Sequence, residues 1–582
     1  MPDTSARTVL QGLHPEAIAL DAMLGDPNDP DSPYGYAAVV RRDAAEAFPS
    51  ALADVCGPRL RLSFVPRSAG GELTSLDRTL SLVRVAARRD ATIMPATMFS
   101  VTAATCVLLA GTPAQRDQVV HLLRSGRAVG FALSEPEHGS DLLANSCELV
   151  PAGEGWLLRG RKWLVGLGAR AEAMLVVART GRRGPGAFTA VLIPAALPAG
   201  LTRATGMRGI DLAGFRFDDV PVPGDAVVGG VGRGLETAMR AMQMVRTLST
   251  AANLACADTG LRLTLDHAAR RISAGRALDE QPGTRQTLGT AAAALYACDL
   301  VALGTARGAH TLPGEQSLWS SVAKKVVTDL SAELFDRCAD VLGSRSVLRD
   351  GPVAAFDVAR RDNQAVRYID TSPTANLRLV AMHLPGWASS ELDVLMAPDL
   401  DVALTFDAPL PPLELNRFGL AVRGPGTVTA SIGVVTSRDI APGAWPADGM
   451  ERTDQARVAN RVRRALLALH RKVRRHLAAG SGAETDLSGL AESFCHLHAA
   501  AMVCHIWRRN NHLGLHGLPA PDVFQSVVEL LLARAKGRRS ALPADLAAAA
   551  FQAASRQHQS GHLFSAVPVP LAESTASQSA AS

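Results

Sequence analysis

One block of strand-like sequence interrupts a chain that is otherwise patterned for helices, and this arrangement constrains the fold most. Within the block, short runs such as 155–160 and 173–178 are apolar or β-branched and are bounded by Gly or Pro, which is typical of β-strands. On both sides, apolar residues recur with a helical period. The sequence therefore predicts a mainly α protein with a small β-domain. Helices are expected over 35–56, 75–111, 235–271, 284–311 and 315–342.

Shifts in composition divide the chain into five predicted parts. An N-terminal helical domain and the β-domain are followed by a helical bundle, and a Pro-rich break at 408–412 lies near the start of an additional helical domain. Helices are expected there near 453–479, 485–509, 521–537 and 543–556. A Ser/Ala/Gln-rich composition predicts a disordered tail. The predicted bounds of the five parts are 1–127, 128–226, 227–395, 396–557 and 558–582.

Charge and cysteine content narrow the function classes. A formal net charge of +5 over 582 residues is small, so neither nucleic-acid binding nor membrane-surface binding is predicted. The eight cysteines include no Cys-x-x-Cys pair, which is typical of a reduced, cytoplasmic chain. No basic stretch followed by an apolar run opens the sequence, and no run of about 18 uncharged apolar residues is evident. We therefore expect neither a signal peptide nor a membrane span.

An ordered set of motifs around the β-domain carries the strongest functional signal. Residues 131–141 read Phe-Ala-Leu-Ser-Glu-Pro-Glu-His-Gly-Ser-Asp, and residues 160–163 read Gly-Arg-Lys-Trp. The segments 217–223 and 232–235 then mark the end of the β-domain and the start of the next helix. An ordinary Pro/Gly turn would explain the first motif taken alone. In this order, however, the motifs resemble the acyl-CoA dehydrogenase family, over roughly residues 35–390.

The resemblance implies an N-terminal helical domain, a middle β-barrel and a C-terminal four-helix bundle, with FAD as the cofactor. It implies that Leu133 and Ser134 offer donors to the flavin ring, and that Trp163 packs on it. Ser140 lies on a loop where hydroxyl and amide donors can meet phosphate oxygens. Ser140 and Arg246 are also implied substrate contacts. The implied FAD contacts are Phe131, Leu133, Ser134, Gly139, Ser140, Trp163, Val165, Arg271, Gly343, Thr371 and Ser372.

Three segments that contain these positions depart from the family pattern. Val165 stands where the family usually has Thr or Ser, so its side chain cannot donate a hydrogen bond to flavin N5. Arg271 is retained from an Arg-x-x-Phe-Gly segment whose Phe is lost, and a Gly-Gly turn is reduced to Gly343-Ser344. In the family these last two elements lie at a subunit interface, so the resemblance implies a homodimer or homotetramer. A solvated arginine at a helix end is the alternative for Arg271.

The resemblance also implies a catalytic base. Counting from a preceding Arg-Asp pair places Asp370 where the family has the Glu that removes the substrate α-proton. Asp is one methylene shorter, which changes its reach by about one bond length. The base position used by some relatives, next to Arg246, is occupied here by Val245. Asp370 could instead cap the following segment together with Thr371 and Ser372.

The additional C-terminal domain has two further features. Seven arginines lie on helix 453–479; a solvated face is the ordinary interpretation, and binding of an acidic carrier protein or of a CoA phosphate is the functional one. Cysteines and histidines gather in 495–516 at spacings that match no standard zinc site, so a buried helix is favoured and no metal is predicted. The gathered residues are Cys495, His498, Cys504, His505, His512 and His516.

Three functions are compatible with these residues. The first is α,β-dehydrogenation of an acyl thioester, carried by CoA or by an acyl carrier protein. The second keeps FAD but performs flavin oxidase, monooxygenase or oxidative decarboxylase chemistry in specialised, natural-product metabolism, and the changes at Val165, Asp370 and the lost Phe motivate it. The third is a homologue that binds a thioester or a protein without turnover.

Overall fold

The computed structural model describes residues 13–351, 353–392, 397–422, 424–436, 449–480, 484–510 and 521–572. From residue 13 onward, the first part is a layer of seven helices that precedes the β-domain. The fourth helix is buried at every position except the half-buried Arg78, and its buried residues include the charged Asp77 and Arg84. The seventh begins at a capping box, in which the side chains of Thr112 and Gln115 each accept a hydrogen bond from the other's backbone N–H. The helices are α1 (Pro15–Leu24), α2 (Tyr36–Ala44), α3 (Ser50–Leu60), α4 (Leu76–Ala87), α5 (Ile93–Met98), α6 (Val101–Ala110) and α7 (Pro113–Arg124).

The predicted β-domain is an eight-stranded sheet. The strand order is β6-β7-β3-β2-β4-β5-β8, and β1 pairs in parallel with β4. The runs predicted as strands at 155–160 and 173–178 lie within β3 and β4. The strands are β1 (Ala128–Ala132), β2 (Glu148–Ala152), β3 (Gly155–Gly166), β4 (Ala171–Arg179), β5 (Phe188–Pro194), β6 (Gly200–Thr202), β7 (Leu212–Val222) and β8 (Val227–Val228).

Three long helices and two shorter ones form the bundle after the sheet. Small residues let the long helices approach closely, because a side chain at Gly260 would meet the ring of Phe335 and one at Gly308 would meet the ring of Trp319. A short hairpin of β9 (Ile272–Ser273) and β10 (Arg276–Ala277) follows the first helix. The helices are α8 (Gly234–Arg270), α9 (Pro282–Thr311), α10 (Gln316–Leu342), α11 (Ala354–Val366) and α12 (Pro373–Ser389).

The additional helical domain packs directly on this bundle. Arg307 of α9 fixes the junction, because its guanidinium donates to the carbonyls of Ala403, Thr405 and Ala408 and pairs with Asp77 at 3.0 Å. The four helices predicted in this region are present, as the last four of the series. The helices are α13 (Pro398–Leu404), α14 (Thr427–Ala430), α15 (Ile432–Thr436), α16 (Gly449–Ala478), α17 (Glu484–Asn510), α18 (Pro521–Ala535) and α19 (Ala544–Gln559).

The prediction of disorder from residue 558 is wrong as far as residue 572. Residues 563–569 are buried, and three carboxylates of the core accept backbone N–H groups from this segment: Asp258 from Phe564, Asp299 from Ala566, and Asp21 from Ala572. The apolar run at 563–569 and these carboxylates explain the order, whereas the Ser/Ala-rich composition belongs mainly to residues 573–582, which lie outside the described residues.

Two stretches, 93–110 and 282–311, are long and apolar enough to cross a membrane by length and composition. The stretch 93–110 carries no charged residue, so the prediction that the sequence contains no long uncharged apolar run is wrong. In the structure, however, 78% and 94% of the two hydrophobic windows are buried inside the protein. Burial of this extent is typical of core helices in a globular protein.

Candidate active site

The strand β1 ends in a loop whose backbone is held in place by buried charged side chains. The carbonyl of Leu133 accepts hydrogen bonds from Lys162 Nζ at 2.9 Å and from Asn145 Nδ2 at 2.8 Å. Lys162 also pairs with Glu135 at 2.8 Å, and both side chains are almost fully buried. Burial alone would raise the pKa of Glu135, but Lys162 and the backbone N–H groups of Ser146 and Cys147 outweigh it and hold this pKa below its usual range. The loop backbone is therefore rigidly placed.

Trp163 and Val165 lie on β3 beside this loop but point in different directions. The backbone N–H of Trp163 donates to the carbonyl of Ser134 at 2.9 Å, and the half-buried indole donates to Thr202 Oγ1 at 3.3 Å. Leu164 has a positive φ of 55°, and the pairing register shifts between Lys162 and Val165. This irregularity turns the Val165 side chain into the core of the sheet, where it is completely buried. Only its backbone remains as a predicted cofactor contact.

The turn after α11 carries a buried carboxylate. Asp370 has a φ of 73° and a fully buried side chain. Its Oδ2 accepts from Arg246 Nε at 2.8 Å and from Thr371 Oγ1 at 2.5 Å, whereas its Oδ1 has no hydrogen-bond partner among the described residues. Burial raises the pKa of Asp370, and the neighbouring Arg246, Thr371 and Lys324 only partly offset this. One carboxylate oxygen is thus fixed and the other is free.

A buried lysine supports this turn from the opposite side. Lys324 Nζ on α10 donates to the carbonyl of Val366, the last residue of α11, at 2.7 Å and to Ser249 Oγ on α8 at 3.0 Å. Burial lowers the pKa of Lys324 to about 7; Asp370 raises it and Arg246 lowers it further. A cation at the C-terminal end of α11 also stabilises the carbonyls that the helix leaves unpaired there.

The β-domain loop and the carboxylate turn meet at two serines. Ser140 Oγ and Ser372 Oγ lie 3.4 Å apart, and Ser372 is the N-cap of α12, accepting from the N–H of Ala375 at 3.2 Å. The cap predicted as an alternative role for Asp370 is therefore made by Ser372. Gly139 is exposed, and a side chain there would meet nothing within 4 Å, so the loop borders open space. The arrangement forms a seam between sheet and bundle that contains a buried carboxylate and several hydroxyl groups.

Comparison with known proteins decides the family. Two family models match: the acyl-CoA dehydrogenase middle domain over residues 130–220 and the acyl-CoA dehydrogenase C-terminal domain over residues 232–370. The chain therefore carries the middle and C-terminal domains of the acyl-CoA dehydrogenase superfamily. Members of this superfamily are FAD-dependent oxidoreductases, and the match supports an enzyme of that class here. It also confirms the resemblance and the fold class that the sequence motifs implied.

Individual relatives cover the superfamily part of the chain. The human mitochondrial short-chain specific acyl-CoA dehydrogenase is 29% identical over 258 residues, which are 42% of this chain and 61% of that protein. The glutaryl-coenzyme A dehydrogenase solved with glutaryl-CoA has a TM-score of 0.58 at 19% identity, covering 66% of this chain and 96% of its own. The prolyl acyl carrier protein oxidase AnaB has a TM-score of 0.55 at 18% identity, covering 66% and 99%.

Two residues with predicted cofactor roles lie far from this seam. Arg271 follows the last residue of α8 and is exposed, and it stands 25 positions after Arg246, or about 37 Å along the helix axis. Gly343 ends α10 with a φ of 59°, and its surroundings are open. Within one subunit Arg271 therefore does not join the site around Asp370. This separation is what a contact to a neighbouring superfamily subunit requires, and that assembly stays a prediction.

The sequence motifs contained residues whose roles we missed. Glu135 and Lys162 stand inside the quoted superfamily motifs, and their opposite charges are the signal from which the pairing could have been inferred. Lys324 gave a weaker signal, namely a lysine among Val322, Ala323 and Val326, in a helical stretch whose residues 318–328 are all buried. Among the described residues no group of three or more metal-ligating side chains occurs, while His512 and His516 lie outside the described residues.

Proposed function

We propose that this chain binds FAD and catalyses the α,β-dehydrogenation of an acyl thioester, with Asp370 as the base that takes the α-proton. The observation that carries the proposal is the free Oδ1 of Asp370, a buried carboxylate oxygen without a hydrogen-bond partner in the described part of the chain. A buried acceptor is costly to leave unpaired. Accepting the proton from the α-carbon of a bound thioester would give this oxygen a function.

The residues present fit FAD. The rigid loop at Leu133 and Ser134, the half-buried face of Trp163 and the open space beside Gly139 suit a flat ring system and its chain. Ser140 supplies a hydroxyl group at the same seam. When bound, FAD supplies the acceptor for the β-hydrogen as hydride. The residues of this chain have to orient the thioester and accept the proton.

The geometry around Asp370 suits proton abstraction. Arg246 and Thr371 hold Oδ2, so rotation of the carboxylate is blocked and Oδ1 keeps one direction. The raised pKa of Asp370 makes the carboxylate a stronger base than an exposed aspartate, as long as the pH lies above that pKa. The positive charge of Lys324, which also anchors the turn through the carbonyl of Val366, stabilises the ionised form of Asp370.

Anaerobic flavin reduction by thioesters tests the proposal. The purified protein should release FAD, and one or more members of a saturated acyl-CoA series should bleach its flavin absorption. Asp370→Asn should keep FAD and thioester binding but reduce the flavin about a hundredfold or more slowly, because the amide cannot accept the proton. Asp218→Asn, at an exposed surface carboxylate, is the matched control and should react like the wild type. Asp370→Asn reacting at the wild-type rate would exclude Asp370 as the base.

One observation favours a second candidate, a superfamily flavin oxidase or monooxygenase. The Val165 side chain carries no hydroxyl and is directed into the sheet core, so it offers no side-chain hydrogen bond to a bound flavin. Fast reoxidation of the reduced protein by air supports this candidate, and slow reoxidation supports the dehydrogenase.

A further inference from the structure

A stripe of positive charge runs along α16 in the additional domain. Between residues 456 and 478 this helix carries eight cationic side chains and no acidic one. We name these eight residues the basic stripe: Arg457, Arg461, Arg463, Arg464, Arg471, Lys472, Arg474 and Arg475. The family models end at residue 370, so the stripe lies outside the region they match.

The stripe occupies the solvent face of a helix that is docked by its other face. Val458, Val462, Leu466, Leu469 and Val473 recur every three to four residues and are buried. The cations at 457, 461, 464, 471 and 475 recur with the same period on the exposed side. From 457 to 475 the stripe is about 27 Å long.

Four of these eight charges lack an acidic partner among the described residues. Arg461 pairs with Glu529, but no carboxylate of the described residues lies within ion-pair distance of Arg464, Lys472, Arg474 or Arg475. Like charges three and four positions apart repel one another along a helix and destabilise it. An acidic surface laid along the stripe would remove this repulsion.

The basic stripe is connected to the candidate active site through one helix. His470 of α16 packs edge-on against Trp387 of α12, with ring centroids 5.0 Å apart, and its Nε2 donates to the carbonyl of Ser390 at 3.0 Å. The opposite end of α12 begins at Ser372, next to the Asp370 turn. The two ends of α12 are about 25 Å apart, so the stripe and the site belong to one packed body.

We infer that the basic stripe docks an acidic acyl carrier protein, which presents the thioester to the Asp370 site on its long flexible prosthetic arm. This inference rests on the proposed function and adds the form in which the substrate arrives. The phosphates of CoA form a compact group, which a stripe of about 27 Å exceeds in length. A protein helix with an acidic face matches it in length and in charge. A nucleic acid is less well matched, because the net charge of the whole chain is only +5.

Charge reversal with two forms of one substrate tests the inference. Arg464→Glu, Arg471→Glu and Arg475→Glu are combined, and flavin reduction is measured with butyryl-CoA, or the acyl-CoA that bleaches the wild type fastest, and with the same acyl group on an acidic bacterial acyl carrier protein. The combined variant should lose roughly tenfold or more in kcat/KM with the carrier and keep the wild-type value with CoA. Added salt should reduce the wild-type rate with the carrier more than with CoA.

A matched control and a milder variant separate docking from folding. Arg182→Glu, Arg183→Glu and Arg538→Glu change the net charge equally at exposed positions elsewhere and should leave both rates unchanged. If the reversed stripe lowers FAD content, the triple Gln variant replaces it. Equal effects on carrier and CoA substrates, or none, would overturn the inference, as would stripe-dependent binding of duplex DNA at physiological salt. If neither thioester reduces the flavin, the proposed function fails, and stripe-dependent binding of the loaded carrier in a direct binding assay then decides the docking alone.

Discussion

The helices α9 and α19 pack closely at Gly289, because glycine has no side chain. A methyl group at Gly289 would lie 1.9 Å from the carbonyl oxygen of Ala547 and 2.6 Å from its carbonyl carbon, whereas carbon atoms in ordinary contact are about 3.5–4.0 Å apart. In Gly289→Ala, α19 therefore has to retreat by about 1 Å. Overpacking of this kind costs about 1–3 kcal/mol, and the better helix propensity of Ala returns about 0.5–1 kcal/mol. We expect a net loss of about 1–2 kcal/mol in the free energy that holds α19 in place.

Hydrogen exchange measured by mass spectrometry tests this expectation locally. The amides of α19 should exchange roughly tenfold faster in Gly289→Ala, while those of the β-domain keep their protection. Gly283→Ala is the matched control, because it lies on the same helix and its new methyl group would meet nothing within 4 Å. This control should leave α19 unchanged. Wild-type protection of α19 in Gly289→Ala would refute the reasoning that close backbone contact fixes this junction.

Three further outcomes are expected. Lys324→Met removes a positive charge that stabilises ionised Asp370, so the pH above which flavin reduction is fast should move upward in stopped-flow measurements; a uniform loss at every pH would indicate a merely structural lysine. Burial lowers the pKa of His498 to about 3, so the unfolded chain binds this proton at a higher pH than the folded one, and stability should fall as the pH falls from about 6.5 to 3. Thermal melts of His498→Phe should lose this part of the pH dependence, and an unchanged slope would contradict it. Light scattering should give a dimer or tetramer, and a monomer that retains FAD would exclude a cross-subunit role for Arg271.

Local pattern predicted the long helices and the block of strands, whereas Asp370 was singled out as a candidate base only by the family resemblance. Periodicity identifies a helix or a strand from its own residues, and the motif at 131–141 needs only eleven consecutive positions. The partner of Asp370 was not predictable in this way, because Arg246 stands 124 positions earlier and comes near only through the packing of α8. Pairing of this kind is a property of the assembled bundle.

Two other features escaped the sequence for related reasons. The inward direction of Val165 follows from a one-residue irregularity at Leu164, which alternation along a strand does not reveal. The order of residues 560–572 depends on carboxylates at Asp258 and Asp299, and composition alone assigned this segment to the tail. The first feature depends on a small local irregularity, and the second depends on residues far away in sequence.

The segment 560–572 has a consequence for how the protein is made. Arg84 donates to the carbonyl of Phe564, a residue that the ribosome adds 480 positions later. Until then, the buried charges of Arg84, Asp258 and Asp299 lack some of the partners that they have in the finished protein. A nascent chain stopped before this segment therefore carries an incomplete core of polar groups. Completion of the core is thus coupled to the synthesis of residues 560–572, and a chain truncated before them should be less stable and more prone to aggregate.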